Sequence, residues 1–379
     1  MRKIEMVDLK SQYAAIREEV QESLATIMES AAFINGPAVS RFAENLGAYL
    51  DVPEVIPCAN GTDALQLALM ALDLKPGDEV ISSTFTFIAT VEVIALLGLK
   101  PVLVDVDPDD FNLLPSQVEA AITPRTKVIL PVHLFGQCAE MESLMSIAKR
   151  YGLYVIEDAC QSIGADYTFS DQRRMKAGTM GDLGCVSFFP SKNLGAYGDG
   201  GAIFTRSAEL AAKLRSLVNH GMTKRYHHDY IGVNSRLDSL QAAILDIKLK
   251  HLDAYTERRR AAASRYRALL ADVQEVRLPA ETPNSTHVYH QFTIRVPSGQ
   301  RNDLQAWLAS HDIPAMIYYP IPLHHQKAFL DYGFDGGVFP NAERLSDEVL
   351  SLPMHSELDD DQLVYISDSI RAFFADGKK

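Results

Sequence analysis

Cysteine is scarce in this chain: Cys58, Cys138, Cys160 and Cys185 are the only four, and no two stand at CxxC spacing. That excludes a zinc ribbon, a thioredoxin-type redox pair and a disulfide scaffold, and no metal centre is expected. The four read instead as reduced, mostly buried small residues of a cytosolic protein. Nor is there any run near the ~20 apolar residues of a membrane span. No apolar segment follows Met1-Arg2-Lys3-Ile4-Glu5, so secretion is not expected and a cytoplasmic location is. Basic residues are in deficit, with 36 Lys and Arg against 49 Asp and Glu and a formal net charge of −13. A surface of that sign does not displace counterions from nucleic acid, although a local cluster of donors can still hold a small anion. With 47% hydrophobic and 22% charged residues the composition is that of a soluble globular protein. Its 379 residues exceed what one core fills, so a large domain and a smaller one are expected.

The pattern along the chain is α/β. Asp8 is placed to cap a first helix whose apolar positions Tyr13, Ile16, Val20, Leu24, Ile27 and Met28 recur at three- and four-residue steps. Gly36-Pro37 interrupts it, and a second helix is expected over Val39–Leu50. Beyond the turn Cys58-Ala59-Asn60-Gly61-Thr62, strands and helices alternate. Strands are expected at Val80–Phe87, Pro101–Val106, Lys127–Leu134, Tyr154–Ile156, Cys185–Phe189 and Ala202–Thr205. Near-continuous apolar strands between helices predict a parallel sheet covered on both faces, with ligands beyond the strands' carboxyl ends. Leu237–Ala271 reads as one or two long helices. Strands at His290–Val296 and Ile317–Tyr319, and a helix at Asp303–Ser310, then suggest a smaller α+β domain. The expected boundary puts 1–250 in the large domain and 251–379 in the small one.

Four features could carry chemistry. Asn60-Gly61-Thr62 opens a helix, where free N–H groups and a hydroxyl suit a phosphate. Asp158 ends the apolar run Tyr154-Val155-Ile156, where an acid could face a cationic ring nitrogen. Phe87, in Thr84-Phe85-Thr86-Phe87, could stack on a planar ring. Ser187 and Lys192 flank one turn ahead of Gly198-Asp199-Gly200-Gly201, and a partly desolvated lysine becomes an amine nucleophile. Each has an ordinary alternative: a helix cap at Asn60 or Asp158, core phenylalanines, a solvated loop lysine. Together they describe the binding site of one ligand, pyridoxal phosphate.

The chain resembles the DegT-type sugar aminotransferases, vitamin B6 enzymes of the aspartate-aminotransferase fold (fold type I). The matching stretches include Cys58 to Leu65, Thr86 to Thr90, Glu157 to Ser162 and Ser187 to Asn193. Further ones are Gly198 to Gly201, Asn234-Ser235-Arg236-Leu237-Asp238, Gln241 to Ala243, Tyr318 to His324 and Leu352 to His355. The resemblance implies a large α/β domain with a mixed, mainly parallel sheet and a smaller α+β C-terminal domain. It implies that Lys192 forms the Schiff base and shuttles protons, and that Asp158 pairs with the pyridine nitrogen. Gln161 would lie by the phenolic oxygen and Phe87 on the ring. Gly61, Thr62 and Ser187 would hold the phosphate with Asn234 from a neighbouring subunit. Arg236, also from the neighbour, and Tyr318 and Tyr319 would face a nucleotide-sugar. A homodimer with shared sites follows, with no nucleic-acid or membrane partner.

Within the family, Cys58 to Leu65, Ser187 to Asn193 and Arg225-Tyr226-His227-His228 look closest to enzymes that aminate UDP-N-acetyl-3-oxo-glucosaminuronic acid from L-glutamate. The cofactor would alternate between pyridoxal and pyridoxamine phosphate in building an O-antigen type polysaccharide. The alternatives are amination of a dTDP-3-keto- or 4-keto-6-deoxyhexose, a sugar dehydratase of the same family, and a non-catalytic pyridoxal-phosphate-binding regulator. Lys192 argues against the dehydratases, and the absence of a basic domain against the regulator. Lys224 and Arg225 read as solvated charges or as contacts to an anionic substrate. Thr168 to Met180, with Arg173, Arg174 and Lys176, reads as an exposed hairpin or a substrate-side loop.

Overall fold

The computed structural model describes residues 2–334 and 337–376. Helix α1 (Leu9–Ser30) starts where the Asp8 carboxylate accepts the Ser11 N–H, the expected cap. Helix α2 (Pro37–Leu50) opens on Pro37, whose fixed φ suits a first helical position. Then come β1 (Glu54–Cys58), α3 (Gly61–Ala71), β2 (Glu79–Ser83), α4 (Ala89–Leu96), β3 (Lys100–Val104), α5 (Pro115–Ala120), β4 (Thr126–Leu130), α6 (Met141–Tyr151) and β5 (Tyr154–Asp158). A hairpin, β6 (Asp166–Thr168) and β7 (Arg174–Lys176), precedes β8 (Leu183–Ser187), β9 (Gly201–Thr205) and α7 (Ala208–Leu217). A second hairpin, β10 (Met222–Lys224) and β11 (His227–His228), leads to α8 (Ser239–Leu249) and α9 (Leu252–Leu270). Last are β12 (Phe292–Arg295), α10 (Arg301–Ser310), α11 (Pro340–Glu348), β13 (Val349–Leu352) and α12 (Asp360–Asp376).

Seven strands make one sheet in the order β1-β9-β8-β5-β4-β2-β3. The ladders joining β3, β2, β4, β5 and β8 are parallel, and β9 runs against both of its neighbours. The sheet is therefore mixed and mainly parallel. Successive strand side chains point to opposite faces. Val80, Val128 and Ile156 accordingly pack with Leu65, Ala68 and Leu214 of α3 and α7. Ile81, Ile129 and Val155 pack on the other face with Leu144 and Ile147 of α6. Burial on both faces explains why these strands read as unbroken apolar runs. Near the C-terminus, β12 and β13 pair antiparallel, and Phe292 and Leu350 share a core with Tyr266, Leu304, Ile366 and Ile370. No helix among the described residues is long and apolar enough to cross a membrane.

The structure differs from the sequence reading where side chains compete with the ladder. The strand expected to reach Phe87 ends at Ser83. The Ser83 hydroxyl accepts the Phe85 N–H at 3.0 Å and donates to the Phe85 carbonyl at 3.1 Å, which turns the chain out of the sheet. The strand expected at Ile317–Tyr319 is absent; only Met316 bridges to Ser351. Pro320 and Pro322 beyond it have no N–H to give a ladder. The sequence reading places no strand between Leu50 and Cys58; β1 lies there and contains Pro57, which is tolerated because β1 is an edge strand.

Candidate active site

Because β1, β2, β5 and β8 point the same way, the residues just past them gather along one edge of the sheet. They line a cavity of about 770 Å³ together with Phe135, His290, Gln291, Tyr318 and Tyr319. Gly61, Thr62, Phe87, Asp158, Gln161, Ser187 and Lys192 all face it. Its size is that of a site for a small organic ligand.

The helix start at Asn60 has both properties the sequence suggested. The Asn60 side chain accepts the Asp63 N–H at 2.8 Å, so it is a cap. Gly61 and Thr62 then stand at the open end of α3, where the first N–H groups have no partner within the helix. Glycine is needed at 61: a Cβ would lie 2.6 Å from Ser187 Cβ and 3.1 Å from Cys160 Sγ. Gly201 has a similar reason, since a Cβ there would lie 2.4 Å from the Asn60 carbonyl oxygen. The glycines of 198–201 serve close approach, not a left-handed turn: none has positive φ.

Asp158, last in β5, is 5% exposed. Strand alternation turns it toward the cavity and sends Glu157 the other way, into a buried pair with His133 at 2.8 Å. Two donors fix Asp158: Thr90 Oγ1 at 2.8 Å and Cys160 N at 3.2 Å. Gln161 is held at both ends, its oxygen by Phe135 N at 2.9 Å and its nitrogen by Tyr319 Oη at 3.2 Å. Phe87, 53% exposed, shows its ring to the cavity 6.3 Å from that of Tyr319.

Lys192 is half-buried on the turn after β8, where its N–H donates to Phe189 O at 2.8 Å. Desolvation lowers its pKa below the usual 10.5, against the pull of Cys160 and Asp158 toward the charged form. His290 stands near, and its pKa falls well below 6.5, mainly through burial and next through the charge of Lys192. Asn193 donates to Val288 O, so its oxygen is free to accept from His290 Nδ1 at 3.3 Å. The sequence reading missed Thr90 and His290, which only the fold brings to the site.

Asn234 and Arg236 do not line this cavity in their own chain. Asn234 is exposed and accepts from Arg236 Nε at 2.8 Å. The β6–β7 hairpin also lies outside the lining. Arg174 and Lys176 pair with Asp166 at 2.6 and 3.1 Å, and Arg173 covers the Phe169 ring. Arg225 lies over Tyr226 instead.

A set of side chains with an amine of lowered pKa, a buried carboxylate fixed by two donors, an open helix end and an exposed aromatic face suits pyridoxal phosphate. Comparison with known proteins agrees. The family described as DegT/DnrJ/EryC1/StrS aminotransferases matches residues 14–371. The chain is 47% identical, over 98% of both chains, to a pleiotropic regulatory protein of Geobacillus stearothermophilus. It is 45% identical to the UDP-2-acetamido-2-deoxy-3-oxo-D-glucuronate aminotransferase of Pseudomonas aeruginosa, over 94% of this chain and 96% of the other. It is 46% identical to a UDP-N-acetyl-3-dehydro-α-D-glucosamine 3-aminotransferase of Acidithiobacillus ferrooxidans, over 97% of each. Among solved structures, NtdA of Bacillus subtilis with bound cofactor PMP superposes with a TM-score of 0.87 at 34% identity, over 94% of this chain and 82% of that one.

Proposed function

This chain belongs to the DegT/DnrJ/EryC1/StrS aminotransferase family, and from that premise we propose that it moves the amino group of L-glutamate to C3 of a UDP-N-acetyl-3-oxo sugar, the glucosaminuronate first among them. It is a pyridoxal-phosphate-dependent aminotransferase. The observation that carries the reading is the convergence of Lys192, Asp158 and the open end of α3 on one cavity. Similarity to two enzymes whose names place the oxo group at C3 of a UDP-amino sugar supports the substrate class.

Bound pyridoxal phosphate supplies an aldehyde that carries the amino group and a ring that spreads carbanion charge. The protein's part is to hold it and to move protons. N–H groups of Gly61 and Thr62, with the Thr62 and Ser187 hydroxyls, bind the phosphate. Each charge-assisted hydrogen bond contributes ~1.5–3 kcal/mol, against ~0.3–1 kcal/mol for the helix dipole, so the donors dominate. Asp158 keeps the pyridine nitrogen protonated, and Thr90 and Cys160 N keep Asp158 in place. Gln161 would lie by the phenolic oxygen, and Phe87 would cover the ring. Lys192, its ammonium form disfavoured by desolvation, is the amine that anchors the cofactor aldehyde. Once released it would move a proton from the donor's Cα to the cofactor carbon in the first half-reaction, and from that carbon to the sugar carbon in the second.

Asn234 and Arg236 lie away from their own chain's cavity, which supports a homodimer in which each chain completes the other's site. The partner subunit's Asn234 then reaches the phosphate, while the partner subunit's Arg236, with Tyr318 and Tyr319, faces the nucleotide-sugar. A division into a cofactor-binding unit over 1–250 and a smaller unit over 251–379 belongs to the same reading, supported by the separate core around Phe292 and Tyr266; residues 1, 335–336 and 377–379 lie outside the described ones. Cytoplasmic synthesis of a surface polysaccharide of the O-antigen type is the setting such a substrate implies.

The test is a panel of keto-sugar nucleotides with L-glutamate: UDP-N-acetyl-3-oxo-glucosaminuronate, the 3-oxo sugar with a C6 hydroxymethyl in place of the carboxylate, and dTDP-3-keto- and 4-keto-6-deoxyhexoses. The UDP-3-oxo sugars should be aminated, the uronate fastest. Turnover of the dTDP sugars alone would overturn the substrate assignment, and no turnover of any would favour a regulator.

A further inference from the structure

Past Tyr318 and Tyr319 the same loop carries two histidines that transamination does not use. His324 is 7% exposed. Its Nδ1 lies 2.7 Å from Thr84 Oγ1, while its Nε2 is buried without a hydrogen-bond partner. A buried imidazole nitrogen left so is costly, and the cost calls for a partner. The side chain it meets is Glu343, in the first turn of α11. Glu343 Oε1 is 3.4 Å from His324 Nε2 and 3.7 Å from His325 Nε2. One ligand atom from each of the three lies within 4.8 Å of the others, and among the described residues no other group of three His, Cys, Asp or Glu side chains is so arranged.

We propose that His324, His325 and Glu343 form a binding site for a divalent cation of the zinc type. Tetrahedral zinc, with bonds of ~2.0–2.1 Å, holds its ligand atoms ~3.4 Å apart, close to both separations measured from Glu343. Two imidazoles and one carboxylate form a donor set that zinc accepts, with a fourth position left for water. Thr84 serves as the outer partner that fixes a ligand histidine: Nδ1–H donates to its hydroxyl, and Nε2 turns its lone pair to the site. Thr84 is itself anchored, accepting the Leu323 N–H at 2.8 Å and donating to Val104 O at 3.1 Å. Helix α11 is equally fixed, because Asp105 accepts the Asn341 and Ala342 N–H groups at 2.9 Å each. A cation here would tie the loop that carries Tyr318 and Tyr319 to α11. Its role is to hold the cavity wall, not to take part in proton transfer. Sequence pattern alone does not show it, since Glu343 stands 18 residues beyond His325 on a different element.

The test uses the holoenzyme, stripped with a chelator and then titrated with Zn²⁺ in equilibrium dialysis. Wild type should bind one more equivalent per chain than Glu343→Gln or His325→Ala, both changes at exposed positions. The two variants should bind at least ~10-fold more weakly. A double variant of the exposed β10–β11 hairpin, His227→Ala with His228→Ala, should keep the equivalent. Zn²⁺ should also raise the Tm of wild type and of the hairpin variant, but not of Glu343→Gln. Equal zinc uptake by wild type and Glu343→Gln would overturn the proposal, as would loss of the equivalent in the hairpin variant.

Discussion

Replacing Thr90 by Val probes whether Asp158 works as a positioned carboxylate or merely as a buried one. Valine keeps the volume and the β-branching of residue 90, which is 1% exposed near the start of α4. What it removes is the hydroxyl that donates to Asp158 Oδ2 at 2.8 Å, leaving Cys160 N at 3.2 Å as the remaining in-chain donor. A hydrogen bond to a charged group contributes ~1.5–3 kcal/mol. At 1.36 kcal/mol per tenfold in rate, that corresponds to a loss of about 10- to 150-fold. The assay is a single turnover of the pyridoxal form with L-glutamate, followed by the absorbance of the cofactor in a stopped-flow instrument. Thr90→Val should be slower by that factor with an unchanged circular dichroism spectrum, and Thr90→Ser should recover most of the rate. A Thr90→Val rate equal to wild type would refute the role given to this contact.

Three further outcomes follow from the geometry. Gly61→Ala should fold but lose pyridoxal phosphate on gel filtration, because the added Cβ would lie 2.6 Å from Ser187 Cβ in the proposed phosphate cradle; retention of the cofactor would count against that cradle. Lys248 is fully buried, its pKa lowered to about 7 chiefly by desolvation, and it donates to Gly195 O at 2.5 Å. Between pH 7 and 10.5 the unfolded chain holds that proton and the folded one does not, so stability from this group rises with pH; Lys248→Met should flatten the rise of Tm from pH 7 to 9.5. Mixing Lys192→Ala with Arg236→Ala subunits, each inactive alone, should restore activity at up to about a quarter of the sites, because one mixed dimer site carries both wild-type residues; no recovery after subunit exchange would argue against shared sites.

What the sequence made legible follows the range of the interactions. Helices α1 and α6 were readable because a cap at Asp8 and an amphipathic period are local signals. The parallel strands were readable because both their faces are buried. Phe87 could be named as a ring-facing residue, yet its place on a loop depends on the Ser83 turn, which pattern alone does not show. Lys192 and Asp158 could be grouped because each stands at the end of an expected strand, and strand ends share one edge of such a sheet; Gly61 was legible instead as the start of a helix. Thr90, His290 and Glu343 carry no local signal: their partners Asp158, Asn193 and His324 are distant in the chain and meet only through the fold. Asn234 and Arg236 were singled out by resemblance alone, and their own chain leaves them outside the cavity.

The central claim is that Lys192 and Asp158 operate one cofactor in one cavity. Adding L-glutamate alone to the purified holoenzyme and recording the cofactor's absorption tests it most directly. The pyridoxal form should convert to the pyridoxamine form with release of 2-oxoglutarate, and neither change should occur in Lys192→Ala. An unchanged spectrum in the wild type, or conversion at an undiminished rate in Lys192→Ala, would contradict it.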